Sequence, residues 1–403
     1  MTKKVLFAAV TLWLAASSCP AAVTTGLDKV RSYASLFAGK RVGIVCNHTA
    51  RDASGRHVVE VFQALPDVRV TALFGPEHGI YGLAAEGEKV ADSNDVQFGI
   101  PVYSLYGKTS KPTPKMLKEV DVLVFDIQDV GARFYTYIWT MALAMEAAAE
   151  NEKLFVVLDR PNPIGGLAVE GPLLEKEQAS FVGLYPIPVR HGMTVGELAR
   201  LFNGENWLKD KVKARLLVIP VGGWRRSQWH DQTELEFIKP SPNMPDLQTA
   251  AVYPGLCLLE GTNVSEGRGT EKPFLQFGAP WIDEAKLVEA LNALHHPGVQ
   301  FVPAAFTPTS SKYANELCKG AAIEVTDRTA MAPFRLGVEI VNTLCRMYPN
   351  EFEWRQSHFD RLCGTASVRE AIEKGAPLDT LAAQWEKNLD PFKKTRQRYL
   401  LYR

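Results

Sequence analysis

Runs of apolar residues that stop on polar ones organise the first half of the chain. Residues 41–47 (RVGIVCN), 68–74, 122–127 and 154–158 are short and apolar throughout rather than alternating. Helical patterns separate them at residues 58–65, at a short stretch over 116–120, and along the Ala- and Met-rich 134–150. Strands apolar on both faces and alternating with helices predict a parallel sheet covered on both sides, an α/β fold with Rossmann-like alternation. Each run ends on chemistry. The first reaches Asn47, the second Gly75-Pro-Glu-His-Gly79, the third Asp126 and Asp129, and the fourth Asp159-Arg160-Pro-Asn162. Open α/β sheets bind ligands outside the carboxyl ends of their strands, so the site is expected there.

The pattern then changes. Residues 239–280 are dense in Pro and Gly, which predicts a structured loop region, and loops of that length in a compact protein are usually functional. Beyond it, a helix over 283–294, strands over 299–306 and 322–326, and helices over 334–347 and 378–394 predict a second, smaller α+β domain. The reading places the larger domain at residues 23–260 and the smaller at 261–403, with the boundary inside the stretch from Gly255 to Trp281. In front stand Lys3 and Lys4, an apolar run over 5–16, and small residues through Ala22. That is the order of a secretory signal, expected to occupy residues 1–22 with cleavage near Ala21 or Ala22. The run is shorter than the ~20 residues that span a bilayer. The expectation is an exported protein, periplasmic or secreted, with no stable membrane insertion. Cys19 offers a lipoprotein alternative, weakened because Ala16 stands where a large aliphatic residue is typical.

Composition narrows the class. Within 403 residues, 45 Lys plus Arg balance 45 Asp plus Glu, leaving no electrostatic footprint for nucleic acid or an anionic membrane. Hydrophobic residues at 46% and charged residues at 22% describe an ordinary soluble globular protein. Cys46, Cys257, Cys318, Cys345 and Cys363 are widely spaced without a CxxC pair. They support neither a disulfide framework nor a cysteine zinc site, so buried free thiols are expected, with room for one disulfide in an oxidising compartment.

Glu77 and His78 sit in FGPEHGIYG directly after a buried strand. Partial burial on such a turn disfavours the charged carboxylate and suits it to general acid work. The plainer reading has Glu77 capping a turn and His78 as a hydrogen-bonded structural residue. Asp126, Asp129 and Arg133 lie in VFDIQDVGARFYTY; they are either site residues or ion pairs that position the loop. Asp159-Arg160 carries the same ambiguity. Arg190 and His191 are candidates to face the site, ahead of a helix capped by Thr194 with Glu197. Asn47 and Asn243 are further candidate contacts, as are Glu260, Asn263, Glu266 and Arg268 in the glycine-rich LLEGTNVSEGRGT. Such polar loops together with Trp224, Trp229, Tyr253 and Trp281 are what carbohydrate clefts use, aromatic faces stacking on sugar rings. No GxGxxG, HExxH or GxSxG is present, which disfavours a dinucleotide, a catalytic metal and a serine hydrolase. No cofactor is expected.

LFGPEHGIYG, GIPVYSLYGKTSKPTPKML, DVLVFDIQDVGARFYTYIWTM, LDRPNPIGG, PVRHGMTVGELA, PSPNMPDLQTAAVYPG and LEGTNVSEGRGTEKPF, in this order, resemble the signature segments of the exo-β-N-acetylmuramidases of the NamZ type, long known as a domain of unknown function. The resemblance extends to FDRLCGTASVREAI and RQRYLLY near the end of the chain. It implies a Rossmann-like domain, a smaller C-terminal domain and a cleft between them. It also implies release of N-acetylmuramic acid from non-reducing ends of peptidoglycan fragments, with MurNAc-GlcNAc saccharides and muropeptides as substrates, and a catalytic glutamate at Glu77. Glycoside hydrolysis needs an acid and a second carboxylate, or the substrate's acetamido group. Asp126, Glu260 and Glu266 are the candidates for the second role. Muramic acid carries a lactyl carboxylate, and Arg133, Arg160, Arg190 and Arg268 are candidates to read it. Arg133 and Arg160 are favoured because both follow strand ends. A buried arginine there would discriminate against glucosamine on the order of 10²-fold or more. A non-catalytic muropeptide-binding protein and a peptidoglycan amidase stay open as alternatives.

Overall fold

The computed structural model describes residues 22–85, 87–95 and 98–403; residues 1–21 of the expected signal segment lie outside them. In chain order the strands are β1 (Lys40–Cys46), β2 (Val68–Gly75), β3 (Ser93–Asn94), β4 (Pro101–Ser104), β5 (Val122–Asp126), β6 (Leu154–Leu158), β7 (Glu170–Leu173), β8 (Pro188–Arg190), β9 (Arg215–Ile219), β10 (Gln276–Ala279), β11 (Val299–Phe306) and β12 (Cys318–Val325). A seven-stranded sheet runs β3-β4-β2-β1-β5-β6-β9 and is parallel except at its edge, where β3 pairs antiparallel with β4.

Successive residues of the central strands feed two separate apolar layers. Val45, Phe74, Leu123, Phe125 and Val157 join a cluster with the Tyr137–Glu150 and Val195–Gly204 helices. Val42, Ile44, Val122, Val124 and Val156 join another with the Leu27–Tyr33 and Val58–Gln63 segments. Burial of each such side chain contributes about 1.5–3 kcal/mol, so a strand covered on both sides has no reason to alternate. That is why these strands read as unbroken apolar runs.

The second half builds a three-stranded antiparallel sheet, β10-β12-β11, backed by the Glu284–Asn292 helix, on which the Pro333–Met347 helix packs in turn. Its β12 begins at Cys318, four residues before the expected 322. The first apolar cluster continues without a break from Val45 through to Phe392. Residues 116–120 form turns rather than the expected helix. The expected loop over 239–280 is largely ordered into a Leu247–Leu256 helix, a 3-10 turn at Cys257–Gly261, and β10. Asp246 starts that helix, its side chain accepting the Thr249 N–H at 2.8 Å. Pro254 and Gly255 mimic loop residues because tertiary packing demands them. A Cβ on Gly255 would stand 1.8 Å from the Pro333 carbonyl oxygen, and one on Gly337 2.2 Å from the Gly255 carbonyl oxygen, so only glycines let the two helices cross this closely.

The expected Thr194 capping box is present, the hydroxyl accepting the Glu197 N–H and Glu197 accepting the Thr194 N–H. Cys46, Cys257, Cys318, Cys345 and Cys363 are all free thiols, Cys345 half-buried and the rest buried. Among the described residues no helix is long and apolar enough to cross a membrane.

Candidate active site

Strand order reverses between β1 and β5, the point at which α/β sheets open a crevice. The polar strand ends do gather along this edge, but many of them face inward and hold the frame. Asp126 is fully buried, and Arg160 grips it through Nε and Nη2, the latter at 3.0 Å. Burial pushes the Asp126 carboxyl up and the Arg160 charge opposes it. Arg160 lines only a small cavity of about 90 Å³ with Thr49, Gln128 and His230. Asp126 and Arg160 are each spent on the other, the usual condition for burying charge, and neither lines the cavity that holds Glu77.

The same correction applies to most of the other candidates. Arg133 donates to the carbonyls of Pro172, Ile187 and Leu362, and burial pushes its guanidinium down to about 10. Arg190 is held by Glu170 at 2.6 Å and the Ile164 carbonyl at 2.7 Å. Asp129 accepts the Gly131 N–H and lies 3.6 Å from His191 Nε2, whose other ring nitrogen accepts the Met193 N–H. Asn47 folds back to accept both donors of Thr49. Asn263 clamps the backbone at Glu351 and Glu353. Glu266 is buried between Lys312 at 2.9 Å and Arg268 at 3.3 Å. These seven side chains build walls and line no part of the large cavity.

That cavity, about 350 Å³, lies beyond the ends of β2 and β4 and is closed by the second half of the chain. Glu77, His78, Asn243, Glu260 and Arg268 line it, as the sequence led one to expect. Glu77 stands on a turn in which His78 and Gly79 both take positive φ, 68° and 72°. A non-glycine residue in that region stores strain, here held by His78 Nδ1 donating to the Ala84 carbonyl at 2.7 Å. Nδ1 must be the protonated nitrogen, since a carbonyl only accepts. Thr136 is the N-cap residue of the Tyr137–Glu150 helix, yet its hydroxyl does not cap. It donates instead to Glu77 Oε2 at 2.7 Å, and the Gly87 N–H donates to Oε1 at 3.2 Å. A cap given up in this way marks a position where function overrides local preference.

Across the cavity, Tyr253, Cys257 and Glu260 recur at helical spacing along the helix and its 3-10 extension, so one face presents all three. Arg268 donates to Glu260 Oε1 at 2.6 Å, and His358 Nε2 lies 3.5 Å from Oε2. Burial alone would push the Glu260 carboxyl up, but Arg268 and His358 outweigh it and hold it down, at about 2. Arg268 and His358 thus favour the ionised form of Glu260, whereas Glu77 has no ion pair among the described residues.

Arg361 also lines the cavity, beside His358 and Leu362 on one face of the Gln356–Cys363 helix. It is exposed and has no ion pair among the described residues, whereas Arg268 is committed to Glu260 and Glu266. Sequence reasoning missed Thr136, His358 and Arg361. Only the helical spacing of 358, 361 and 362 hinted at the last two. Of the aromatic residues singled out, Tyr253 lines the cavity; Trp224 and Trp229 are buried elsewhere, and Trp281 packs on Tyr348. Among the described residues no group of three or more His, Cys, Asp or Glu is placed to hold a metal ion.

The fold has counterparts in known proteins. The chain is 50% identical over 382 residues to the peptidoglycan β-N-acetylmuramidase NamZ of Bacillus subtilis (strain 168), covering 94% of this chain and 91% of that one. Crystal structures of two DUF1343 family proteins from Bacteroides fragilis NCTC 9343 superpose with TM-scores of 0.88 and 0.77 at 38% and 32% identity, each covering 94% of this chain and 99% of the other. The N-terminal region of the family described as exo-β-N-acetylmuramidase NamZ matches residues 42–248 and its C-terminal region residues 251–402, and the chain belongs to that family.

Proposed function

We propose that this protein is an exo-acting glycoside hydrolase that releases N-acetylmuramic acid from non-reducing ends of peptidoglycan fragments. The observation that carries the reading is that Glu77 and a Glu260 held by Arg268 line one cavity of about 350 Å³. That is the small end of the ~300–1,000 Å³ range of ligand pockets, suited to one terminal sugar rather than a threaded chain. In the reaction Glu77 protonates the glycosidic oxygen, and the C1–O bond breaks with its electron pair leaving on that oxygen. Water adds to C1 and returns a proton to Glu77. Glu260 faces the positive charge that develops at C1, the second role a glycosidase requires.

The substrates are peptidoglycan-derived saccharides, including MurNAc-GlcNAc and muropeptides. Their lactyl carboxylate is read by Arg361, the cavity arginine not already paired. The basic start, apolar run and small residues at the front of the chain support export to the periplasm or medium, where the enzyme would serve wall turnover and recycling. Incubation with a chromogenic β-muramyl glycoside and with an end-trimmed muropeptide tests the reading. Free muramic acid is expected; cleaved peptide with intact sugar linkages would refute it, as would no product. Mass spectrometry of the exported form should find a start near Ala22, and a retained residue 1–21 segment or a lipid on Cys19 would refute cleavage.

A further inference from the structure

Glu77 is held from two sides by donors of different kinds. On one side the chain clasps itself. The Ala84 N–H donates to the His78 carbonyl at 3.3 Å, His78 Nδ1 donates to the Ala84 carbonyl, and the turn that follows brings the Gly87 N–H to Glu77 Oε1. On the other side stands the Thr136 hydroxyl, 59 residues further along the chain.

Thr136 is a fixed post. The Arg133 N–H ties the segment before it to the Val189 carbonyl at 2.7 Å, and the Trp139 indole donates to the Arg133 carbonyl at 2.7 Å. The Tyr137 hydroxyl donates to the Pro240 carbonyl at 2.7 Å. The Thr136 backbone takes φ −71° and ψ −11°, helical rather than the extended geometry from which a threonine caps. The Trp139 and Thr140 N–H groups are met by the Thr136 carbonyl instead, each at 3.0 Å, so the hydroxyl has no duty in the helix. The side chain lines the cavity, and its hydroxyl donates to Glu77 Oε2.

A general acid starts the reaction neutral and ends it as a carboxylate. A hydrogen bond to an ionised group is roughly twice as strong as one between neutral groups, so the Thr136 bond tightens as the proton moves to the glycosidic oxygen. An interaction stronger in the transition state than in the ground state speeds the chemical step and leaves substrate affinity alone. We propose that Thr136 is a positioning residue for catalysis: its hydroxyl aims the Glu77 carboxyl and stabilises the negative charge left there when the proton is delivered. The proton passes from Glu77 to the departing oxygen, and Thr136 keeps its own hydrogen throughout. The proposal rests on the acid role of Glu77 and adds the group that supports it.

The test is steady-state kinetics on the muramyl-terminated disaccharide and on an activated aryl β-muramyl glycoside. Thr136→Val puts a methyl where the hydroxyl was. It should lower kcat on the disaccharide by about tenfold with little change in KM, the difference between a charged and a neutral hydrogen bond. The aryl glycoside, whose leaving group needs less protonation, should lose less. Thr136→Ser should restore kcat, and Thr136→Ala, a second variant without the hydroxyl, should match valine. In a Glu77→Gln background the valine should add nothing, since no carboxylate forms there. Melting temperature should hold in each variant because no helix cap is lost, whereas a purely structural threonine would lower it and damage both substrates alike. Unchanged disaccharide kcat in both hydroxyl-free variants, equal losses on the two substrates, or a further tenfold loss in the Glu77→Gln background would overturn the proposal. No muramic acid released by the wild-type chain, or full activity in Glu77→Gln, would instead overturn the reading on which it rests.

Discussion

Replacing Arg361 with Ala should cost the enzyme its preference for muramyl over glucosaminyl substrates. The two sugars share ring and acetamido group and differ by the lactyl carboxylate, so the preference measures what the cavity does with one negative charge. A buried arginine would be left uncompensated by glucosamine, at several kcal/mol, and would give discrimination beyond 10²-fold. The structure sets a lower figure. The buried arginines are already paired or wrapped in carbonyls, and Arg361 is exposed, so water solvates it when no carboxylate is bound. A hydrogen bond to a charged group contributes ~1.5–3 kcal/mol, and solvent screening argues for the lower end. At about 1.4 kcal/mol per decade, that is roughly 10–30-fold in kcat/KM. The assay is kcat/KM on matched aryl β-muramyl and β-glucosaminyl glycosides at low and high salt. Wild type should show the preference and lose part of it in 1 M salt, where the Debye length is about 3 Å. Arg361→Ala should lose most of it through KM, and Arg361→Lys should recover some. An unchanged preference in Arg361→Ala, or its loss only in Arg268→Ala, would refute the assignment.

Three further outcomes follow from the same geometry. Glu77→Gln keeps size and hydrogen bonding but no transferable proton, so kcat should fall by ~10²–10⁴-fold, and less on an activated aryl glycoside than on the natural disaccharide; equal losses would deny the acid role. In Arg268→Ala the chief influence holding the Glu260 carboxyl down is gone while burial remains and His358 compensates in part. The folded-state value must rise, so less Glu260 is ionised at acidic pH and the acid limb of kcat/KM should move to higher pH; an unmoved limb would show that Glu260 ionisation does not matter to turnover. Arg133→Ala strands three buried carbonyls at ~1–3 kcal/mol each, so it should lower stability by several kcal/mol in denaturant unfolding. Substrate preference in the surviving folded fraction should be intact, and a stable variant with altered preference would return Arg133 to the site.

Asp159 makes stability itself depend on pH. Burial pushes its carboxyl up to about 7, against donors from Tyr402, Gly196 and Thr194 that favour the ionised form. A folded-state value above the unfolded one means that the native state holds the proton more tightly. Its contribution to stability is complete below about 3.8 and lost as pH rises through about 7. Asp159→Asn should flatten melting temperature between pH 5 and 8, and an unchanged slope would count against this origin.

The apolar runs alone specified the sheet, because a strand buried on both faces leaves a continuous signature that needs no partner to be read. The gathering of polar strand ends along one edge and the Pro-Glu-His-Gly turn that sets Glu77 at the cavity were legible for the same reason: they follow from local chain chemistry. What the sequence could not show is which charged side chains turn inward. Arg133, Arg160 and Arg190 look like ligand readers until their partners appear, and those partners (the Leu362 carbonyl, Asp126 and Glu170) lie 20 to 229 residues away in the chain. Arg361 was hidden by the opposite circumstance, a position remote in sequence from every strand end and brought to the cavity only when the second half closes over the first. The helix across Pro254 escaped notice because its glycine answers to a neighbouring helix rather than to its own turn. Period and turn chemistry are properties of a few consecutive residues, and the sequence settles them. Whether a charge is paired within the protein or left for a substrate depends on long-range contacts, and only the tertiary structure decides that.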